Sequence, residues 1–196
     1  MKWIQEYTVN IHDTDLNGIV SVSGILRYMQ DACNNQMNAQ KPSYEELLAR
    51  GYAFILSRIG ISVYAPVHAY EKITVETWAV ASRGMIYNRC YRILRDGEIV
   101  AEATSAWALV GVEDKKFHRV GEIQLNYSED EPLELDLPAR FKIPAEAELT
   151  LRGERTVLYS DVDQNRHLNN TRYPDLFCSF IPEMPKSRVL TAMISF

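Results

Sequence analysis

The chain has 196 residues, 46% of them hydrophobic and 24% charged, with a net charge of −5. That is ordinary globular chemistry, enough for one large domain or for one domain and part of another, and the acidic balance argues against a nucleic-acid binder, which needs clustered Lys and Arg. Cys33, Cys90 and Cys178 are far apart and odd in number, a pattern that supplies neither a zinc site nor a disulfide framework and is simplest in a reducing compartment.

Residues 3–11 alternate as a strand does, with Trp3, Gln5, Tyr7, Val9 and Ile11 on one parity. An Asp-rich turn follows. Ser21 or Ser23 then caps a helix expected to run to about Met37, with Ile25, Met29, Ala32, Cys33 and Met37 as its apolar stripe. Pro42 and Ser43 open a short second helix over 44–50, closed by Gly51. The pattern then turns to strands over 53–63, 72–82, 85–95 and 98–112, the last two joined by the hairpin signal Arg95-Asp96-Gly97. A helix must cover one face of such a sheet, because an exposed apolar face does not persist.

Residues 121–153 carry the acidic run Ser128-Glu129-Asp130-Glu131 and the prolines Pro132, Pro138 and Pro144. They read as a linker wrapping the first unit. Beyond it, 154–159 is again strand-like, Tyr173 to Phe180 suits a helix with Pro174 in its first turn, and Val189 to Phe196 looks like the start of another strand. The expected organisation is a first unit over 1–120, a linker over 121–153 and the truncated beginning of a second unit over 154–196. The N-terminus lacks the apolar core of a signal peptide, and no apolar run approaches the ~18 residues that span a bilayer. A soluble, cytoplasmic protein without membrane association is expected.

Residues 161–170 read Asp-Val-Asp-Gln-Asn-Arg-His-Leu-Asn-Asn, and Asp13-Thr-Asp15-Leu-Asn17-Gly-Ile19-Val20 is a weaker copy. At one constant offset, Asp13, Asp15 and Asn17 align with Asp161, Asp163 and Asn165, Val20 with Leu168, Ser23 with Thr171, and Met29 with Phe177. Each copy follows a strand and precedes a helix, which points to duplication. The later copy holds His167 where the earlier holds Ile19, and Gly18 permits a turn that Arg166 must make in the later one.

In the later copy Asp163 can act as a general base on water or as a nucleophile. Asn165 can orient water or donate to a developing oxyanion. His167 can shuttle a proton or hydrogen-bond a substrate carbonyl. Together they suit acyl transfer to water. The competing reading is a capped turn, because Asp and Asn are common turn and N-cap residues; it is preferred for Asp161, Asn169 and Asn170. Ile19 cannot move a proton, so Asp15 belongs to a retained structural turn or to a second catalytic carboxylate. His12 and His68 read as surface residues, His118 as part of a basic hairpin end, and Cys178 as a buried, inert thiol. Trp78, Trp107, Met29, Met37 and Phe54 are core candidates that could also line an acyl tunnel.

On these residues the chain resembles the acyl-acyl-carrier-protein thioesterases, a family related to the plant fatty-acyl enzymes and present in bacteria. The resemblance covers the whole chain, and Asp-x-Asn-x-His-x-Asn-Asn over 163–170 is its most specific element. Asp13-Thr14-Asp15-x-x-Gly18 is also similar to the active-site turn of single hotdog coenzyme A thioesterases. The resemblance implies an α+β double hotdog, each unit an antiparallel sheet wrapped around a long helix, with the second unit present here only in part. It implies hydrolysis of fatty acyl-acyl carrier protein (acyl-ACP) to free fatty acid. Catalysis then falls to the second unit through Asp163, Asn165 and His167, and the first unit shapes the acyl pocket. A further acidic residue is expected on a strand beyond Phe196; Glu183 is not assigned to it, because Pro182-Glu-Met-Pro185 reads as a helix-ending turn.

No cofactor and no metal are expected, since no phosphate-cradling Gly-rich loop occurs. The partner is acyl carrier protein, docked on a basic face for which Arg83, Arg89, Arg92, Lys115, Lys116 and Arg119 are candidates. A half-built second unit would expose a sheet edge and favour a homodimer. Two other readings stay open: an acyl-coenzyme A thioesterase using Asp15, and a non-hydrolytic acyl-binding hotdog protein.

Overall fold

The computed structural model describes residues 1–138 and 141–196. Strand β1 (Trp3–Thr8) leads through a single 3-10 turn, Ile11–Asp13, to helix α1 (Val22–Gln40) and the short α2 (Tyr44–Ala49). Four long strands follow: β2 (Tyr52–Val63), β3 (Lys72–Arg83), β4 (Ile86–Arg95) and β5 (Glu98–Gly111). A two-residue strand β6 (Phe117–His118) folds back on β5, and helix α3 (Tyr173–Cys178) and strand β7 (Thr191–Ser195) complete the chain. The sheet is antiparallel with order β1-β3-β4-β5-β2-β7. Wrapped around α1, it forms an α+β hotdog fold. No helix among the described residues is long and apolar enough to cross a membrane.

Local chemistry explains the helix boundaries. Ser21 accepts from the Gly24 amide and starts α1. Ser43 and Glu46 form a reciprocal capping box at α2. Gly24 has no alternative at its position: a Cβ there would lie 2.7 Å from the Asp13 carbonyl oxygen and 2.9 Å from Val20 Cγ1. The first turn of α1 is therefore pressed directly onto the Asp-rich turn before it. Leu26, Met29 and Ala32 are fully enclosed on the inner face of α1, against Ile61, Val75 and Ala103 of the sheet. Burying each large side chain contributes about 1.5–3 kcal/mol.

The outer face of the sheet is covered by the chain beyond β6. Trp78 Nε1 donates to the Glu131 carbonyl (2.8 Å), the Asp130 amide to the Ala79 carbonyl (2.9 Å), and the Leu133 amide to Cys90 Sγ (3.4 Å). Between 121 and 153 the described residues form no helix or strand, and residues 129–133 run as a strap across Trp78, Val80 and Cys90.

Two expectations need correction, and a third, the strand expected over 189–196, gains its place in the sheet. The first strand stops at Thr8, and Ile11 is 60% exposed, because the Asp13 amide turns back to the Asn10 carbonyl and leaves the ladder. No strand forms over 154–159; those residues are exposed, and no described strand pairs with them. The late strand β7 does form, but as an added edge on β2, with Arg58 opposite Ser195 and Ser62 opposite Thr191. A bulge at Ser57 in β2 frees its carbonyl, which accepts from the Phe196 amide at 2.9 Å. Segment 154–196 thus shares a sheet with the first unit.

Candidate active site

The two Asp-rich turns have the same backbone. In the first, the Asp15 amide donates to the Ile19 carbonyl (2.7 Å) and the Gly18 amide to the Asp15 carbonyl (3.0 Å). In the second, the Asp163 amide donates to the His167 carbonyl (2.9 Å) and the Arg166 amide to the Asp163 carbonyl (2.9 Å). Asp15 Oδ1 accepts from the amides of Asn17 (2.8 Å) and Ile19 (3.2 Å). Asp163 Oδ1 accepts from those of Asn165 (2.8 Å) and His167 (3.4 Å). Gly18 and Arg166 occupy the same left-handed position, at φ 72° and 62°. Single bridges, Thr14 to Val20 and Val162 to Leu168, close both turns. The repeat seen in the letters is a repeat in hydrogen bonds.

Each turn is anchored by its leading aspartate. Asp13 is buried and takes hydrogen bonds from Tyr28 (2.8 Å), Arg27 Nε (3.0 Å) and Asn10 (3.2 Å). Burial works to raise its pKa, but these three donors and the Arg27 charge outweigh it and hold the carboxyl below its ordinary value. Asp161 is also buried; Arg155 Nη2 reaches both its oxygens (2.9 and 2.8 Å), and the Leu158 amide donates to it at 3.0 Å. Asn169 caps the following turn by accepting from the Thr171 amide (2.9 Å). Asn170 accepts from Gln30 Nε2 of α1 at 2.8 Å, tying the second turn to the first unit's helix.

The structure brings Asp163, Asn165 and His167 onto one turn beside α1 and α2. Asp163 is partly buried, and Asn165 and His167 are exposed. Among the described residues, Asp163 Oδ2 and the His167 ring have no hydrogen-bond partner, so both are available to a substrate or water. The Tyr44 hydroxyl of α2 donates to Asn165 Oδ1. With Oδ1 so engaged, Nδ2 has no partner among the described residues and is left to donate. All three residues border a cleft of about 1720 Å³ that runs between α1 and the sheet. Its apolar wall includes Met37, Phe54, Tyr87, Trp107 and Leu125. Of the expected tunnel residues, Met29 and Trp78 do not line it; Met29 is buried on the inner face of α1, and Trp78 on the far face of the sheet beneath the strap.

Other candidates sort by environment. Asp15 lies outside the cleft lining. His12 and His68 are exposed, and His118 pairs with Glu122 at 2.7 Å. Cys178 is half-buried; burial, with the Asp175 and Asp15 charges nearby, pushes its thiol up and away from the reactive thiolate. Glu183 lies in the turn that follows α3, just before the 3-10 turn Met184–Lys186. Among the described residues no group of three His, Cys, Asp or Glu side chains is arranged to hold a metal ion.

The basic face needs revision. Arg89 is only 6% exposed and points inward, because on β4 it shares the parity of the core residues Tyr91 and Ile93. Arg92 is paired with Glu102 at 2.7 Å. Arg83, Lys115, Lys116 and Arg119 remain exposed. Sequence reasoning did not find Tyr44, Gln30 or Tyr127, whose roles depend on contacts distant in the chain. For Arg89 the signal was present in strand parity.

The family model described as the acyl-ACP thioesterase N-terminal domain matches residues 1–126. The chain is 24% identical to oleoyl-acyl carrier protein thioesterase 2, chloroplastic, of Arabidopsis thaliana over 202 aligned residues, covering 91% of this chain and 54% of the relative. It spans about half the length of the curated relatives it matches. An acyl-ACP thioesterase from Bacteroides thetaiotaomicron superposes with a TM-score of 0.86 at 22% identity, over 100% of this chain and 80% of the other. An oleoyl thioesterase from Lactobacillus plantarum superposes at 0.84 and 18% identity, over 100% and 78%. These superpositions establish the hotdog fold.

Proposed function

The chain belongs to the acyl-ACP thioesterase family, and from that premise we propose that the protein hydrolyses the thioester of fatty acyl-ACP, releasing free fatty acid. The observation that carries the reading is the second turn, where Tyr44 holds Asn165 beside an apolar cleft that Asp163 and His167 also border. In the reaction, water attacks the thioester carbonyl carbon while Asp163 Oδ2 takes its proton. Asn165 Nδ2 donates to the oxyanion that forms. The tetrahedral intermediate collapses with cleavage of the C–S bond, and His167 delivers a proton to the departing pantetheine thiolate. The acyl chain lies in the cleft, away from water.

The carrier protein docks on Lys115, Lys116 and Arg119. These flank Phe117, and Phe117 and Val120 line the same cleft. Carrier proteins are acidic, so attraction to this cluster weakens as salt rises. The test is release of fatty acid from acyl-ACP by the full chain. Turnover that is lost in Asp163→Asn supports the reading, and binding of acyl-ACP without turnover in the native protein rejects it. The Lys115/Lys116 double alanine variant raises KM for acyl-ACP and leaves kcat near its original value; an unchanged KM rejects the docking face.

A further inference from the structure

Among the described residues Arg89 is a buried cation without a counter-charge. It lies in the cleft wall, 6% exposed, and among the described residues no carboxylate lies within ion-pair distance of it. Its Nη1 donates to Gln36 Oε1 and to Thr77 Oγ1 (3.0 Å). Both acceptors are neutral and fully buried. A guanidinium has five N–H donors and stays protonated in a protein. Nη1 accounts for two of them, and the Nε–Nη2 edge has no partner among the described residues. That is the edge on which a carboxylate sits with two parallel hydrogen bonds.

A second group beside it is also unpartnered. The Tyr127 ring centre lies 5.7 Å from the Arg89 guanidinium carbon, and the Tyr127 hydroxyl is sealed from solvent without a hydrogen bond. The Tyr91 hydroxyl, near Cys33 and Ser105, likewise forms no hydrogen bond of normal geometry. Burial raises the pKa of both phenols, so both are neutral donors in need of an acceptor. Desolvating an unpaired charge costs several kcal/mol, and a buried polar group without a partner adds further cost. A cleft meant only for an alkyl chain gains nothing from this arrangement. Among its lining residues Tyr87, Trp107, Met37 and Phe54 show what an alkyl wall looks like here.

We propose that the cleft takes an acyl chain bearing a carboxylate away from the thioester, that is, the mono-thioester of a dicarboxylic acid, with the carboxylate seated on the Nε–Nη2 edge of Arg89, whose guanidinium lies over the Tyr127 ring. The exposed turn at 163–167 and the buried guanidinium border one cleft, so a single chain reaches both. The inference rests on the thioesterase reading for its chemistry, but the binding site itself does not require turnover.

Two measurements keep those apart. The first is binding to the full chain of pantetheine thioethers, which cannot be hydrolysed, in a length series whose chains end in methyl or in carboxylate. At the best-fitting length the carboxylate-ended chain binds about tenfold or more tightly, the worth of one charge-assisted pair. Arg89→Met reduces that ratio to near one, and melting curves confirm that the variant folds. The methionine variant leaves the buried Gln36 Oε1 and Thr77 Oγ1 without that donor, so its melting curve reports a structural cost that the binding ratio does not. The second is hydrolysis of the matching thioesters, where kcat/KM follows the same preference. Equal binding of the two ends at every length, or a ratio unmoved by Arg89→Met, overturns the inference even in an active thioesterase. Selective binding without hydrolysis supports the inference and rejects the thioesterase reading instead.

Discussion

Asp13 to Val20 and Asp161 to Leu168 trace the same turn, amide for amide, yet they sit in different surroundings. The first is clamped beneath a 19-residue helix, with Gly24 allowing contact and Asp13 locked by three donors. The second leads into a 3-10 turn and the six-residue α3, and its leading aspartate is held by Arg155 and the Leu158 amide. In both, the middle aspartate spends Oδ1 on its own backbone. What differs is the last side chain, Ile19 against His167, and the neighbour that reaches in: Tyr44 meets Asn165, and Asn17 has no such contact among the described residues. On the proposed reading the first turn is a scaffold without chemistry, and chemistry needs the added imidazole, a held amide and a cleft.

The sharpest way to separate scaffold from chemistry is to exchange each middle aspartate for asparagine, whose Oδ1 still accepts from the turn amides. Asp163→Asn should lower kcat for thioester hydrolysis by about 10²–10⁴-fold, the range for loss of a general base. Asp15→Asn should change it by less than about twofold, within the small scatter of a surface substitution. Equal losses at the two positions would erase the distinction drawn between the turns.

Stability should reverse the ranking. Asp13→Ala strands Arg27 and Tyr28 and should cost roughly 2–4 kcal/mol in chemical denaturation at pH 7. Asp13 has a depressed pKa in the fold. Its contribution is therefore present above the ordinary carboxylate range and is lost as pH falls through the lower folded value. The gap between Asp13→Ala and the native chain should narrow on acidification; a gap that widens would contradict the hydrogen-bond assignment. Gly24→Ala should cost about 1–3 kcal/mol, because its methyl overlaps the Asp13 carbonyl. Gly18→Ala should cost about 1 kcal/mol, from the left-handed backbone alone, since nothing lies within 4 Å of its Cβ position. Arg166→Gly, at the matching position, should be neutral or slightly stabilising. A large loss there would mean that the Arg166 side chain matters to the second turn.

Much of this architecture was legible because its signals are local. Ser21, the Ser43–Glu46 box and Asp96-Gly97 mark their own boundaries, and the constant offset between the turns survives as hydrogen bonds. Failures occurred where a residue's role depends on a distant partner. Residues 154–159 have strand composition but no described ladder neighbour. Tyr44 lies 121 positions from Asn165, beyond any spacing rule. Arg89 shows the cost of reading charge before parity: its alternation with Tyr87, Tyr91 and Ile93 places it in the interior, where a charge-based reading put it on a docking surface.

The central claim is that the imidazole converts a shared turn into an active one. His167→Ala tests it most directly, through kcat for acyl-ACP hydrolysis measured alongside the melting temperature. The account predicts a fall of about 10²-fold or more with the melting temperature nearly unchanged, because the ring holds nothing in the fold. A variant that folds and turns over near the native rate would contradict it.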